Sequence, residues 1–166
     1  MDDRTLYEGR HLSLKQTGSW EYVERRGRAS GVLIVAVTDA GNLLLVEEER
    51  PPIRGRVISL PAGLVGDEGA ETAEEAGRRE LLEETGYAAR ELEFLGGGPS
   101  SPGLANESVV FYRARGLSRS GPPTGPEAIT LHEVPLPGVR DWTAERERRG
   151  AAIHPLLWAG LYLARL

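Results

Sequence analysis

The sequence predicts an α+β fold in which helices pack on a mixed β-sheet. Two observations lead to this prediction: short apolar runs bounded by turn residues recur along the chain, and only two or three segments carry a helical pattern. The chain has 166 residues, of which 40% are apolar and 27% charged, an ordinary globular composition. We therefore expect residues 1–166 to form a single soluble domain.

The predicted strands begin with two apolar runs, GVLIVAV (31–37) and NLLLVEE (42–48), which are separated by the turn signal TDAG. This pattern predicts a hairpin of two buried strands. VISL (57–60) is a shorter strand that leads directly into a Pro-Ala-Gly turn. Further strands are expected at 92–95, 108–114 and 129–134.

The N-terminal segment is more polar than the strands that follow it. LSLKQ and WEYVERR predict a hairpin within residues 12–25, so residues 1–28 are expected to form an N-terminal hairpin. Its WEYV stretch would expose Trp20, Tyr22 and Val23 without a partner. A homodimer formed through this hairpin would cover them.

Helices are predicted in three places. The longest covers residues 72–85, and a shorter one covers 141–149. A third lies within the C-terminal AAIHPLLWAGLYLARL, where Pro155 fits the first helical turn. Segments 96–103 and 117–126, rich in Gly, Pro and Ser, are expected to be loops.

Charge and composition exclude several classes of function. The net charge of −5 argues against general affinity for nucleic acid or anionic membranes, which favour basic surfaces. The absence of cysteine excludes disulfides, thiolate metal sites and cysteine nucleophiles. Residues 1–30 contain no apolar run, so we expect a cytoplasmic protein without a signal peptide or membrane span. A phosphate-bearing ligand would need a local source of positive charge.

The predicted helix 72–85 concentrates carboxylates on one face. At 3.6 residues per turn, Glu80, Glu83 and Glu84 converge. A solvated face is one interpretation, since Arg79 and Glu83 can form an ordinary ion pair one turn apart. The other interpretation is a site for Mg²⁺ or Mn²⁺, because these cations prefer oxygen ligands and would relieve the repulsion among the carboxylates. The helix follows a Pro-Ala-Gly turn at the end of a buried strand, and this position favours the cation site.

The same residues resemble a known sequence signature. Glu71, seven further residues and then RELLEETGY (79–87) resemble the Nudix box, G-x5-E-x7-R-E-U-x-E-E-x-G-U, where U is a bulky apolar residue. Every fixed position of the second half is met. In the first half seven residues, LVGDEGA, separate Gly63 from Glu71 where the pattern has five. The resemblance implies the Nudix fold, a mixed sheet between helices.

Other segments resemble the ADP-ribose and ADP-sugar pyrophosphatases of that family. ERPP (49–52) followed by SLPAGL (59–64) resembles one shared element, and SSPGLANE (100–107) resembles a loop downstream of the box. Pro102 lies fifteen residues past Tyr87, the spacing associated with ADP-ribose specificity. SWEYVERR resembles an element that clamps adenine, and GPEAITLHEVPL resembles a loop whose glutamate activates the attacking water.

The resemblance implies a role for each matching residue. Glu80 and Glu84 would bind Mg²⁺, or alternatively Mn²⁺, with support from Glu83 and the Ala62 carbonyl, and Arg79 would brace the glutamates. Glu127 falls on the position of the general base, with Glu83 as the rival. The implied substrate-binding residues are Arg50 at the diphosphate or ribose, Trp20 at the base, and Pro102, Gly103 and Leu104 in the downstream loop.

Two departures concern the substrate. The family usually has a glutamate where this chain has Ser59, and Glu48 and Glu49 replace a common Gln-aromatic pair before Arg50. The implied activity is Mg²⁺-dependent hydrolysis of ADP-ribose or a related nucleoside diphosphate sugar to a nucleoside monophosphate and a sugar phosphate. The alternatives are a UDP- or GDP-sugar pyrophosphatase and a non-catalytic sensor. The histidines at 11, 132 and 154 lie in unrelated segments, so surface or structural roles are expected for them.

Overall fold

The computed structural model describes residues 3–27, 30–66, 69–125 and 128–166. In these ranges the chain forms the strands β1 (Asp3–Glu8), β2 (Leu12–Thr17), β3 (Trp20–Arg25), β4 (Ser30–Ala36), β5 (Asn42–Arg50), β6 (Gly55–Ser59), β7 (Ala62–Leu64), β8 (Tyr87–Pro99), β9 (Ser108–Arg119), β10 (Thr130–Pro135) and β11 (Ala152–Ile153). The helices are α1 (Ala73–Thr85), α2 (Val139–Arg148) and α3 (Leu156–Leu163).

The strands form three sheets. An N-terminal antiparallel sheet has the order β1-β2-β3, and the other two have the orders β7-β4-β9-β8 and β10-β5-β6-β11. The latter two are mixed, because β4 runs parallel to β9 and β11 runs parallel to β6. The predicted α+β class with a mixed sheet is confirmed.

The predicted hairpin of 31–37 and 42–48 is wrong in its pairing, although both strands exist. β4 and β5 belong to different sheets and are joined near the turn by a single bridge between Val37 and Leu43. Each strand has its own partners on both edges, β7 and β9 for β4, and β6 and β10 for β5. Two strands that are buried on both faces can each serve as the centre of a sheet, which a local turn signal cannot reveal.

The N-terminal hairpin is a three-stranded sheet. The prediction missed β1 because all six of its residues are exposed, so it carries no apolar alternation. β3 is attached to the rest of the protein through the loop after β8: Val23 N–H donates to the Leu104 carbonyl at 2.7 Å, and Asn106 N–H donates to the Val23 carbonyl at 3.3 Å.

Two strands are longer than predicted. β8 continues through the glycines at 96–98, and β9 continues to Arg119, so part of each expected loop is strand. A register shift between Phe94 and Gly96 accommodates the glycine run. A Cβ at Gly97 would lie 2.5 Å from the Val109 carbonyl oxygen, so this close strand pairing requires glycine.

The helices pack on opposite faces of β4. Val32 and Ile34 pack with Leu81 of α1 in one buried cluster, whereas Leu33 and Val35 join the cluster that contains α3. This two-sided burial follows from the alternation of side chains along a strand. The predicted mixed sheet between helices is therefore observed.

The helix predictions hold, with shifted ends. α1 begins with a capping box, in which Thr72 Oγ1 accepts from Glu75 N–H at 3.2 Å and Glu75 Oε2 accepts from Thr72 N–H at 2.8 Å. It ends at Gly86, whose φ is +72°. α3 is shorter than the predicted C-terminal helix because residues 152–153 extend a sheet. No helix in the described part of the chain is long and apolar enough to cross a membrane.

Candidate active site

A cavity of about 480 Å³ lies between α1 and the edges of the two mixed sheets. Four of the sequence-predicted site residues line it: Arg50, Ala62, Glu80 and Glu84. They come from β5, β7 and α1, so the fold brings three separate segments to one place. The cavity is the candidate active site, because it gathers carboxylates and a guanidinium in a concave surface.

Glu84 is the most buried acid of the cavity, with 6% of its surface exposed. The backbone N–H of Ala62 donates to Glu84 Oε2 at 2.9 Å. Burial raises the pKa of the Glu84 carboxyl to about 8; the Ala62 hydrogen bond opposes this rise, and the charges of Glu80 and Glu48 add to it. The negative charge of the buried Glu84 carboxylate is therefore stabilised either by a proton or by a bound cation.

Arg79 braces three carboxylates at once. Its Nη2 donates to Glu71 at 3.0 Å, and its Nη1 donates to Glu80 at 2.8 Å and to Glu83 at 3.2 Å. The hydrogen bond with Glu71 raises the pKa of the Arg79 guanidinium, although burial opposes that rise. The guanidinium therefore orients Glu80 and Glu83 and offsets part of the repulsion on this helix face.

The long connection between Gly63 and Glu71 does not remove Glu71 from the site. Residues 67 and 68, within that connection, lie outside the described residues. Glu71 Oε1 accepts from Gly66 N–H at 2.7 Å and also binds Arg79. The two additional residues therefore leave the contact between Glu71 and the brace intact.

Gly63 provides the space that Glu80 occupies. A Cβ at this position would lie 1.9 Å from Glu80 Oε1 and 2.0 Å from Glu80 Cδ. Any larger residue would therefore force the Glu80 side chain to move from its present position. Gly63 lies in β7, where a turn was predicted, and its lack of a side chain makes room for Glu80.

Arg50 is the cation on the β5 side of the cavity. It forms an ion pair with Glu48, which is buried, and both side chains line the cavity. Glu49 is exposed, so of the two acids noted before Arg50 only Glu48 adds negative charge inside the site. The Arg50 guanidinium remains exposed to solvent, and its positive charge opposes the rise of the Glu84 pKa.

A second wall was not predicted from the sequence. Arg25 Nε donates to Glu107 Oε1 at 2.9 Å, and Ser100 N–H donates to the Glu107 carbonyl at 3.0 Å. All three residues line the cavity. Arg25 lies 82 positions from Glu107, so only the tertiary structure reveals the pair. Two resemblances touched this wall, since SSPGLANE includes Ser100 and Glu107 and SWEYVERR includes Arg25.

Ser59 and His154 form another part of the wall. Ser59 is buried and its hydroxyl donates to the Leu60 carbonyl at 2.9 Å. The structural role expected for the histidines suits His132, which binds Glu47 Oε2 through Nε2 at 2.7 Å. His154 also lies in the cavity wall.

The remaining predicted site residues lie elsewhere or outside the described ranges. Among the described residues of a single chain, Trp20, Pro102, Gly103, Leu104 and Glu83 are not part of the cavity wall. Trp20 is 60% exposed at the start of β3, and Leu104 is 58% exposed in the loop that supports that strand.

Glu127, the predicted base, lies outside the described residues. The segment that leads to it is attached to α1, because Thr124 N–H and Gly125 N–H both donate to the Glu83 carbonyl, at 2.9 and 3.0 Å. The backbone of Glu83 thus holds this segment beside the carboxylate helix.

Comparison with known families decides the origin of this arrangement. A sequence model of the NUDIX domain matches residues 27–150, which is most of the chain. The chain belongs to the Nudix family. The assignment suggested by RELLEETGY is therefore confirmed.

The chain is also similar to proteins whose names state an activity. The chain is 35% identical over 144 residues to an ADP-ribose pyrophosphatase of Mycobacterium tuberculosis, covering 85% of this chain and 66% of the relative. It is 39% identical over 87 residues to an ADP-ribose pyrophosphatase of Bacillus subtilis, covering 52% and 46%. It is 32% identical over 134 residues to a methanol dehydrogenase activator of Bacillus methanolicus, covering 79% and 70%. The chain thus matches about half to 70% of the length of these relatives.

A solved structure shares the fold over nearly the whole chain. The crystal structure of an ADP compounds hydrolase superposes with a TM-score of 0.76 at 23% identity, covering 99% of this chain and 90% of that protein. At this level of identity the likeness shows a common Nudix fold.

The donor set of the cavity fits a divalent cation, which Nudix hydrolases generally use. Glu80 and Glu84 lie one helical turn apart and both line the cavity, so they offer hard oxygen ligands. Across the four described ranges, no group of three or more carboxylate or imidazole side chains is arranged to hold a metal ion. A cation at this place would complete its coordination with backbone, water or substrate oxygens.

Proposed function

We propose that this protein hydrolyses the pyrophosphate bond of ADP-ribose or a related nucleoside diphosphate sugar, giving a nucleoside monophosphate, AMP for ADP-ribose, and a sugar phosphate. The observation that carries the proposal is that Glu80, Glu84 and Arg50 line the same cavity. The two carboxylates offer ligands for a cation, and the guanidinium offers hydrogen-bond donors for a diphosphate at the same place. The names of the two ADP-ribose pyrophosphatases support the substrate class.

Hydrolysis of a diphosphate requires compensation of negative charge, because water attacks a phosphorus atom surrounded by anionic oxygens. Glu80, Glu84 and the Ala62 carbonyl would hold Mg²⁺, or alternatively Mn²⁺, which would supply positive charge to the diphosphate and lower the pKa of a bound water. The protein contributes the fixed positions of these oxygens. Ala62 N–H holds Glu84, and Arg79 holds Glu80.

Arg50 is the proposed diphosphate ligand. Its guanidinium presents paired N–H donors that match phosphate oxygens, and its partner Glu48 restrains it at the cavity. Arg79 acts differently, as a positioning residue that binds the carboxylates behind the site. Arg50 therefore binds the substrate, whereas Arg79 positions the carboxylates that would bind the cation.

The general base is proposed to be Glu127, with Glu83 as the alternative. Either carboxylate would accept the proton that the attacking water releases. Thr124 and Gly125 bind the Glu83 carbonyl, so the segment that leads to Glu127 begins beside the glutamate helix. Comparing Glu127→Gln with Glu83→Gln decides the assignment, because removing the base lowers kcat by a factor of about 10² or more at all metal concentrations.

The decisive experiment measures Mg²⁺-dependent AMP release from ADP-ribose by wild type and by Glu84→Gln. We expect a loss of kcat of at least about a hundredfold in the variant, since one ligand of the cation is removed. Glu91→Gln is the matched control, because it removes the same charge from an exposed site on β8. Equal rates for wild type and Glu84→Gln would reject the assignment of the cation site.

A second candidate substrate class is UDP- or GDP-sugars. It is favoured by Ser59, a neutral residue in the cavity wall, and by the long connection before Glu71. A panel of nucleoside diphosphate sugars compared by kcat/KM, with product identification, separates the two classes. A sensor without catalysis would instead show binding of these compounds by calorimetry and no turnover at any metal concentration.

We further propose that the protein acts in the cytoplasm as a homodimer of single-domain chains 1–166. Exposed Tyr7 (68%), Leu12 (43%) and Trp20 (60%) lie on the N-terminal sheet, where a second copy would cover them. In such a dimer the partner could place Trp20 on the nucleobase and bring the Pro102–Leu104 loop against the substrate. Sedimentation that shows only monomers at micromolar concentration would reject the dimer.

A further inference from the structure

The place of His154 in the cavity wall is set by its backbone. β11 pairs in parallel with β6, with Ile153 opposite Ile58, and His154 N–H donates to the Ile58 carbonyl at 2.9 Å. This pairing continues the sheet by one residue and brings His154 beside Ser59. The imidazole is therefore held at the cavity by a sheet, a more rigid support than a loop.

The ring of His154 has one nitrogen already engaged. Leu156 N–H donates to His154 Nδ1 at 3.3 Å, so the proton of the neutral imidazole belongs on Nε2. Burial lowers the pKa of His154, and the positive charge of Arg50 lowers it further. The ring therefore offers Nε2–H as an uncharged donor.

Arg50 links this part of the wall to the carboxylates. Its charge lowers the pKa of both Glu84 and His154, so the guanidinium lies within electrostatic range of both. The hydroxyl of the neighbouring Ser59 donates its hydrogen bond to the Leu60 carbonyl, so toward other groups it can act only as an acceptor. In this part of the wall, His154 Nε2–H is therefore the hydrogen-bond donor available in addition to the guanidinium of Arg50.

We propose that His154 is a further substrate-binding residue, which donates a hydrogen bond from Nε2 to a phosphate oxygen of the diphosphate that Arg50 also binds. The inference rests on the proposed function for the identity of the ligand. A neutral donor suits this place, because it can bind a phosphate oxygen without forming an ion pair with the carboxylates of the cavity. A cationic side chain at position 154 would instead compete for those carboxylates.

The test measures binding of inorganic pyrophosphate and of ADP by calorimetry in the presence of Mg²⁺. We expect His154→Phe, which keeps the ring volume and loses the donor, to weaken the binding of both ligands about tenfold. His154→Gln, whose amide restores an N–H donor, should recover most of this loss. His11→Phe is the matched control, since His11 is exposed in the connection between β1 and β2 and lies outside the cavity.

Several outcomes overturn the inference. One is an unchanged affinity of His154→Phe for pyrophosphate, and another is an equal loss in His154→Gln and His154→Phe. Thermal melting of every variant identifies a damaged fold, and His154→Ala replaces His154→Phe if the latter melts early.

The binding assay needs no turnover, so it separates this inference from the proposed function. If wild type hydrolyses no nucleoside diphosphate sugar, the proposed function fails, whereas the pyrophosphate comparison still decides the role of His154. If hydrolysis is normal and His154→Phe binds pyrophosphate like wild type, only the inference fails. In an active enzyme we expect a rise in KM of about tenfold and a much smaller change in kcat.

Discussion

Replacing Glu84 by Gln is expected to stabilise the metal-free protein at alkaline pH while it removes activity. The Glu84 carboxyl is buried and its pKa is raised from 4.5 to about 8. Between these values the folded state holds a proton that the unfolded chain has released. The stability of the wild type therefore falls as pH rises from about 4.5 to about 8. Gln is neutral throughout, and its carbonyl can accept the same hydrogen bond from Ala62.

The magnitude follows from the size of this pKa shift. A rise from 4.5 to about 8 corresponds to an upper limit of about 5 kcal/mol, at about 1.4 kcal/mol per pKa unit. Local relaxation around the buried charge reduces that limit. We expect Glu84→Gln to exceed the wild type by about 2–4 kcal/mol at pH 9 and by much less than that at pH 4.5.

The assay is urea denaturation of both proteins in EDTA at pH 4.5 and pH 9. Glu91→Gln is again the control, and its stability should stay within about 0.5 kcal/mol of wild type at both pH values because the residue is exposed. Adding excess Mg²⁺ at pH 8 should stabilise the wild type and change the variant little, since only the native cation site gains binding energy. If the difference between Glu84→Gln and wild type is the same at both pH values, the buried-charge reasoning is wrong.

Three other substitutions test the supports of the site. Gly63→Ala should lower the affinity for the activating cation at least about tenfold, because its Cβ would lie 1.9 Å from Glu80 Oε1. Gly98→Ala is the control, because a Cβ there meets no atom within 4 Å, and it should leave metal titrations of activity unchanged. Arg79→Ala should lower kcat by about 10²-fold and raise the metal requirement, since three carboxylates lose their brace, whereas a wild-type metal titration would contradict this role. Gly86→Ala should cost more than about 2 kcal/mol in urea denaturation, because its φ is +72° and its Cβ would lie 2.1 Å from a backbone carbonyl oxygen; a loss below about 0.5 kcal/mol would show that the turn relaxes freely.

Features that depend on local sequence were predicted well. The helix at 72–85 is marked by the Thr72 cap, the carboxylates and Gly86, and the structure has it at Ala73–Thr85. Most β-strands were also located, because buried strands appear as apolar runs, whereas β7 falls where a Pro-Ala-Gly turn was predicted. Glu80 and Glu84 were placed on one face from helical spacing alone, and both line the cavity.

Features that depend on long-range pairing were not predicted. β1 was missed because its residues are exposed, and β11 is only two residues long. The pairing of β4 and β5 was wrong because other strands occupy both edges of each of them. A turn signal reports which strands are connected, but it does not report which strands hydrogen-bond.

The sequence by itself determined the family and the relative positions of Arg79, Glu80 and Glu84 on α1, because these residues lie within two turns of one helix, where spacing dictates geometry. Tertiary structure decided what faces that helix. Arg25 and Glu107 meet across 82 positions, and β11 brings His154 into the wall through a parallel pairing with β6. These contacts arise when distant segments pack against one another, and no local pattern in the chain encodes that packing.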